Sequence, residues 1–322
     1  MLISLNPFEL PLLPLPIEFI VDFMALFIAA ELIAVSAENL AGRLGKGFTG
    51  GIVIGFATAL PETLFVLIAV LAGKEDIAIG SALGANVVLF TFGIGMVGIL
   101  QILKWKRPGI ITGEYKIEEK YLLVSNIALI LLYIVGILNP VTGIIIFSIY
   151  FLYVWERYRA YKKFLTENEV KQVPLIKYSV FLIIGSILMI IFGHRFVYTI
   201  EELSYIIGID AALVSLLISP IAAELAEKIS SYRLVLHSPE NFTLALLIFI
   251  GSKIESMTIL IGIIGMFSFE GLFVRDYSKE FISAILTTFL ALYVLLDRKM
   301  RFVESIVITA LYFVIVYILL TI

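Results

Sequence analysis

The sequence predicts an all-α membrane protein with ten transmembrane helices, arranged as two inverted-topology five-helix repeats. Three observations predict it: long apolar segments joined by short loops, a one-sided distribution of Lys and Arg, and similarity between the two halves. Of the 322 residues, 61% are hydrophobic and 15% charged. Soluble domains hold about 45–50% apolar and about 25% charged residues, so this chain reads as integral to a membrane. A spanning helix needs about 20 mostly apolar residues. That rule marks 17–41, 49–72, 76–103, 120–138, 140–157, 176–196, 209–235, 242–267, 280–297 and 302–321. The opening stretch "MLISLNPFELPLLPLP" has no Lys or Arg, so it is not expected to be a cleaved secretory signal. No cysteine occurs, which excludes disulfides and thiolate ligands.

Ten spans divide the loops between two sides. The side reached after the odd-numbered spans holds seventeen Lys and Arg, among them Arg43, Lys104, Arg107, Arg157 and Arg298. The other side holds Lys74, Arg195, Arg275 and Lys279. The positive-inside rule makes the first side cytoplasmic and puts both termini outside. Trp105 and Trp155 fall at the cytoplasmic interface, where amphipathic rings are favoured. The expected organisation is a first repeat over 1–157, a basic cytoplasmic linker over 158–175, and a second repeat over 176–322.

The halves resemble each other in detail. Segment 36–62, "SAENLAGRLGKGFTGGIVIGFATALPE", has a counterpart at 199–227, "TIEELSYIIGIDAALVSLLISPIAAELAE". Each runs from E-x-L through a glycine and an apolar helix to small residues that end in a glutamate, Glu62 or Glu227. "IGSALGANVVLF" (79–90) and "LLIFIGSKIESM" (246–257) follow as matching third helices. Five spans is an odd number, so the second copy must cross the membrane upside down. Inverted repeats are a transporter device, with the site at the bilayer midplane between the halves.

The chemistry follows from Glu62 and Glu227. A carboxylate at bilayer depth costs at least about 2.5–3.5 kcal/mol on insertion scales and defaults to a functional reading. A calcium ion takes about six to eight hard oxygens, and two facing carboxylates offset its charge. Pro61 lacks an N–H, so the helix is expected to break there and free the Ala57 carbonyl. Thr58 lies one turn before Glu62 on the same face. Pro220 plays the matching role, with Glu224 and Glu227 three residues apart.

Plainer roles stand beside each of these. Glu62 could be a protonated packing residue, Glu224 a lysine's counter-charge, and Lys228 a local partner for a neighbouring acid. Asn86 and Ser252 could be interhelical hydrogen bonders, and Thr58 could bond back to its own helix. His194 and His237 read as interfacial residues rather than metal ligands. Asp22, Glu31 and Glu38 are unexpected acids in the first span, and Glu31 could extend a proton path.

"GFATALPE" followed by "GSALGAN" resembles the cation/calcium antiporter superfamily, in its prokaryotic sodium/calcium exchanger-like form. The repeats of that superfamily read roughly G-x-x-x-A-x-G-T-S-x-P-E and then G-N-x-x-G-S-N. "SPIAAELAEK" with "ALLIFIGSK" resembles its degenerate second repeat. The resemblance implies secondary active exchange of Ca2+, or a related divalent cation, for Na+ or H+ by alternating access. It implies no enzymatic activity and no cofactor, with the cations as substrates. Metal cations and membrane lipid are the expected partners, nucleic acid is not, and the expected location is the plasma membrane of a prokaryote. The cation-binding residues it implies are Glu62, Glu227, Thr58, Glu224, Ser252, Ser256 and Asn86, with Glu62 and Glu227 on the metal.

Departures from the pattern are concentrated in the ligands. Ala59, Ala85 and Leu89 stand where the first repeat carries polar residues, and Ala223, Glu224 and Ala226 replace Thr, Ser and Pro in the second. Lys253 stands where asparagine is expected. An interior ammonium must find a carboxylate, so Lys253 is either an internal counter-cation replacing a transported ion or a static partner for Glu224 or Glu255. The alternative function is a transporter fold with altered substrate or no antiport. A channel would want a continuous polar pore, whereas the polar residues here cluster at one depth; an intramembrane enzyme would want a nucleophile or metal triad, against which stand the absence of Cys, the two peripheral His and the absence of an H-E-x-x-H motif.

Overall fold

Apolar runs this long must satisfy their own backbone in a bilayer, and helices do so within one segment. In a computed structural model, residues 14–43, 52–112, 115–162 and 174–321 are described. The first half comprises α1 (Leu15–Arg43), α2 (Ile52–Leu71), α3 (Glu75–Val88), α4 (Ile94–Trp105), α5 (Lys116–Val135) and α6 (Pro140–Lys162). The second comprises α7 (Leu175–Ile207), α8 (Ala211–Ala223), α9 (Leu225–His237), α10 (Phe242–Glu255), α11 (Ile261–Phe267), α12 (Ser278–Asp297) and α13 (Phe302–Thr321). A π-helical turn at Leu89–Gly93 joins α3 to α4, and another at Ser256–Leu260 joins α10 to α11. Among the described residues, five helical stretches are long and apolar enough to cross a membrane: Glu75–Trp105, Leu175–Ile207, Pro239–Phe267, Val274–Asp297 and Phe302–Thr321.

Three expectations about helix limits need correction. The helix expected to end near 196 runs on to Ile207, because nothing before Gly208 stops it. Gly208 adopts φ +69°, the left-handed conformation that closes a helix C-terminus. Arg195 therefore lies inside α7 rather than in a loop, and is buried against Glu18 and Asp22 of α1. Second, α2 is continuous through Pro61. Third, the segment 209–235 is two helices, α8 and α9, that part at Glu224.

Four two-residue strands tie the loops together. β1 (Gly109–Ile110) pairs antiparallel with β4 (Lys299–Met300), and β2 (Ile137–Leu138) with β3 (Leu272–Phe273). Helix α5 leads from β1 to β2, while α12 leads from β3 to β4. Since the pairs are β1–β4 and β2–β3, α5 and α12 run in opposite directions.

Small residues set the closest helix approaches. A Cβ on Gly80 would come within 2.1 Å of the Ala212 carbonyl oxygen, and one on Gly84 within 2.3 Å of the Leu216 carbonyl oxygen. Helices α3 and α8 thus touch backbone to backbone. Gly95 and Gly98 seat α4 on Ser305 and Thr309 of α13, as Gly262 and Gly265 seat α11 on α6 around Gly143. One sequence offset relates Gly95 to Gly262, Gly98 to Gly265, and Leu89 to Ser256 at the start of each π turn.

Candidate functional site

The break between α8 and α9 builds half of the site. Pro220 has no N–H and cannot close the preceding helical turn. Its carbonyl accepts from the Glu224 backbone N–H at 3.2 Å and from Lys228 Nζ at 2.9 Å. Glu224 then sits at φ −107°, ψ 11°, capping both helices. The kink leaves Glu224, Glu227 and Lys228 buried, at 1%, 2% and 5% exposure.

The other half comes from α2 and α10. Glu62 on α2 is 2% exposed, and Lys253 on α10 is fully enclosed. Lys253 Nζ donates to Glu224 Oε1 and, at 2.9 Å, to Ser256 Oγ. It also lies 3.5 Å from Glu62 Oε2. Ser256 Oγ in turn stands 3.2 Å and 3.4 Å from the two oxygens of Glu62. One ammonium and one hydroxyl therefore bridge a carboxylate of the first half to a carboxylate of the second.

Glu227 belongs to the same cluster. It is buried within electrostatic reach of Glu62, Glu224, Lys253 and Lys228, and Glu255 lies within such reach of Glu227, Glu62 and Lys253. The Ser252 hydroxyl lies beside it without a well-formed hydrogen bond. Glu227 Oε2, Glu224 Oε2 and Ser252 Oγ are all buried without a hydrogen-bond partner. Lys228 Nζ lies 3.8 Å from Glu224 Oε2.

Of the expected site residues, Glu62, Glu224, Ser256 and Lys253 are brought into contact, and Glu227 and Ser252 adjoin them. Asn86 of α3 is fully buried with both side-chain polar atoms unpartnered. Thr58 lies in α2, and its side chain falls outside the described residues. Of the two acids expected as partners for Lys253, Glu224 is the one used. Glu255 is turned away, accepting from Tyr150 at 3.3 Å and Thr63 at 3.5 Å. Residues i and i+2 of a helix do not share a face, which separates Glu255 from Lys253. The sequence reading missed Tyr150, which lies in α6 with no local motif around it. Lys228 as a ligand of the Pro220 carbonyl was also missed; the helix-breaking proline eight residues before it was the available signal.

Among the described residues, no group of three or more His, Asp or Glu is arranged to hold a metal. Lys253 stands between the carboxylates that would otherwise face one another. Arg195 forms a separate buried cluster with Glu18, Asp22 and Thr199, and Arg157 a third with Glu118 and Tyr153.

Comparison with known proteins places this geometry. The fold is similar to that of the H+/Ca2+ exchanger CAX, with a TM-score of 0.79 at 20% identity over 95% of this chain and 85% of that one. It is similar to native YfkE, with a TM-score of 0.77 at 14% identity over 96% of this chain and 93% of that one. It is also similar to the sodium-calcium exchanger NCX_Mj, with a TM-score of 0.62 at 19% identity over 93% of this chain and 96% of that one. No curated protein matches significantly by sequence. The family described as sodium/calcium exchanger protein matches twice, over residues 15–159 and 177–321. Both matches together cover most of the chain, which is an integral membrane protein and belongs to the sodium/calcium exchanger protein family.

Proposed function

We propose that the chain is a secondary active antiporter that exchanges Ca2+, or a related divalent cation, for Na+ or H+ by alternating access. The observation that carries this reading is the meeting of Glu62 from α2 with Glu224 and Glu227 from the α8–α9 kink in one buried cluster. Buried carboxylates with unfilled lone pairs favour a cation, since hard divalent ions take oxygen ligands, and displacement of Lys253 would let them converge on one. Glu62 and Glu227 carry the metal in this reading. Glu224, Ser252, Ser256, Thr58 and Asn86 complete the site.

The family is one of transporters, and no cofactor enters the reading. Ten spanning helices in two inverted five-helix repeats, 1–157 and 176–322, joined by a cytoplasmic linker, form its frame. The antiparallel run of α5 and α12, the shared glycine offset and the double family match support that frame. Polar contacts between segments also agree with it. Arg107–Glu240 and Lys120–Glu156 join segments assigned to the cytoplasm, and Lys74–Glu201 joins segments assigned to the outside. Both termini are then outside, in the plasma membrane of a prokaryote.

A second reading, a transporter fold with altered substrate, draws on Lys253, whose ammonium occupies space between the carboxylates. Thermal unfolding of purified protein separates the two. A ligand that binds only the folded state stabilises it by about 2.7 kcal/mol at 100 times its Kd. Millimolar Ca2+ is expected to raise the Tm of the parent and not of Glu62→Gln. An unchanged parent Tm would favour the altered-substrate reading.

A further inference from the structure

Resting on the antiporter reading, we propose that Lys253 and Glu224 form a built-in plug: the tethered ammonium permanently fills one monovalent-cation position of the transport site. The chain would then exchange its substrate at a single remaining position around Glu227 and Ser252.

Four observations carry this. Lys253 Nζ is coordinated as a small cation would be, by oxygens from three elements: Glu224 Oε1 at the kink, Ser256 Oγ of the π turn and Glu62 Oε2 of α2. A lysine with a purely structural role needs one carboxylate, whereas this one reaches the carboxylates of both halves. Second, the polar atoms left without a partner include Glu227 Oε2 and Ser252 Oγ, so oxygens able to hold a second cation stay unfilled. Third, the ammonium is anchored to the α10 backbone and cannot leave, so it cannot be exchanged. Fourth, Glu62, Glu224, Glu227 and the equally buried Glu255 carry four formal negative charges, and Lys253 and Lys228 return two. The residual charge of two matches one divalent ion and leaves none for a monovalent ion beside it.

Lys253 and Glu224 are also the two departures from the repeat motif that meet in space. As a pair they are neutral, so replacing both with short neutral oxygen-bearing residues opens volume at the site and leaves its net charge unchanged. A gained cation position in such a variant cannot be ascribed to bulk charge.

The experiment measures the apparent Kd for Ca2+ against Na+ concentration for the full-length protein in detergent. It compares the parent, Lys253→Asn/Glu224→Ser, and the volume-conserving Glu224→Gln. Each additional competing Na+ steepens the dependence by roughly ten-fold in Kd per decade of Na+. The double variant is expected to show one more such step than the parent. Glu224→Gln leaves Glu62 as the one carboxylate, beside the Ser256 hydroxyl, that holds the ammonium, and is expected to weaken Ca2+ binding by roughly ten-fold or more, in the range of ordinary coupling between bound ligands. If the double variant folds poorly, Glu224→Gln decides the matter alone, because an unchanged Ca2+ affinity would show that lysine and metal do not share carboxylates. Equal slopes in the parent and the double variant would overturn the plug and leave the antiporter reading standing. A parent that neither binds Ca2+ nor takes it up under any gradient would overturn both.

Discussion

Glu62 is the residue on which the site turns, because among the described residues it alone brings a first-half carboxylate to Lys253 and Ser256. Its replacement by Gln keeps the volume and removes the charge. Truncating one partner of a buried charge pair in a binding site costs roughly 2–5 kcal/mol of binding, and every 1.4 kcal/mol is about ten-fold in Kd. Glu62→Gln is therefore expected to weaken Ca2+ binding by at least about one order of magnitude, read by equilibrium binding of radiolabelled Ca2+. Arg195 provides the contrast. It is 8% exposed and holds Glu18 and Asp22, all remote in sequence from the Glu62 cluster. Arg195→Met strands two buried acids and is expected to lower stability by roughly 3–5 kcal/mol, while uptake per folded molecule stays unchanged. A lowered Tm with a proportionate loss of folded protein would bear this out. A loss of uptake at full folded yield would place Arg195 in the transport cycle instead.

Helices α3 and α8 meet through glycines, and this contact holds the kinked half of the site against the first repeat. Gly80→Leu would drive a side chain into the Ala212 backbone, which cannot give way as a flexible side chain would. Overpacking of this kind costs about 1–3 kcal/mol and sometimes more, so loss of monodisperse protein on size exclusion is expected. Gly73 has φ +71° and open space around it, so Gly73→Ala costs only the left-handed backbone strain, about 1–2 kcal/mol. Helix existence was legible in hydropathy, and the acids and small residues of the site were legible in the internal repeat. The helix ends were less so. Hydropathy falls near Arg195, yet a helix stops only where its backbone is broken, and the first breaker is Gly208. Pro61 and Pro220 carry the same local signal, but only the second is followed by a break, four residues later. The lysine bonded to the Pro220 carbonyl has no equivalent among the described residues around Pro61. Which acid Lys253 would choose depended on helix register, and that separates Glu224 from Glu255 only once α9 and α10 are side by side.

At the scale of the whole molecule, the two halves share their π turns, their glycine seams and their crossed strand pairs. They differ in charge at the centre, where the second half supplies Glu224, Glu227, Glu255, Lys228 and Lys253 against Glu62 from the first. An antiporter built this way moves substrate only when a second ion gradient drives the return step. The central claim is therefore tested by Ca2+ uptake into proteoliposomes under an imposed Na+ gradient and, separately, an imposed pH gradient. Uptake driven by one of the gradients, and abolished in Glu62→Gln protein reconstituted at equal density, is the expected result and names the coupling ion. Uptake absent under both gradients, or persisting undiminished in Glu62→Gln, would contradict it.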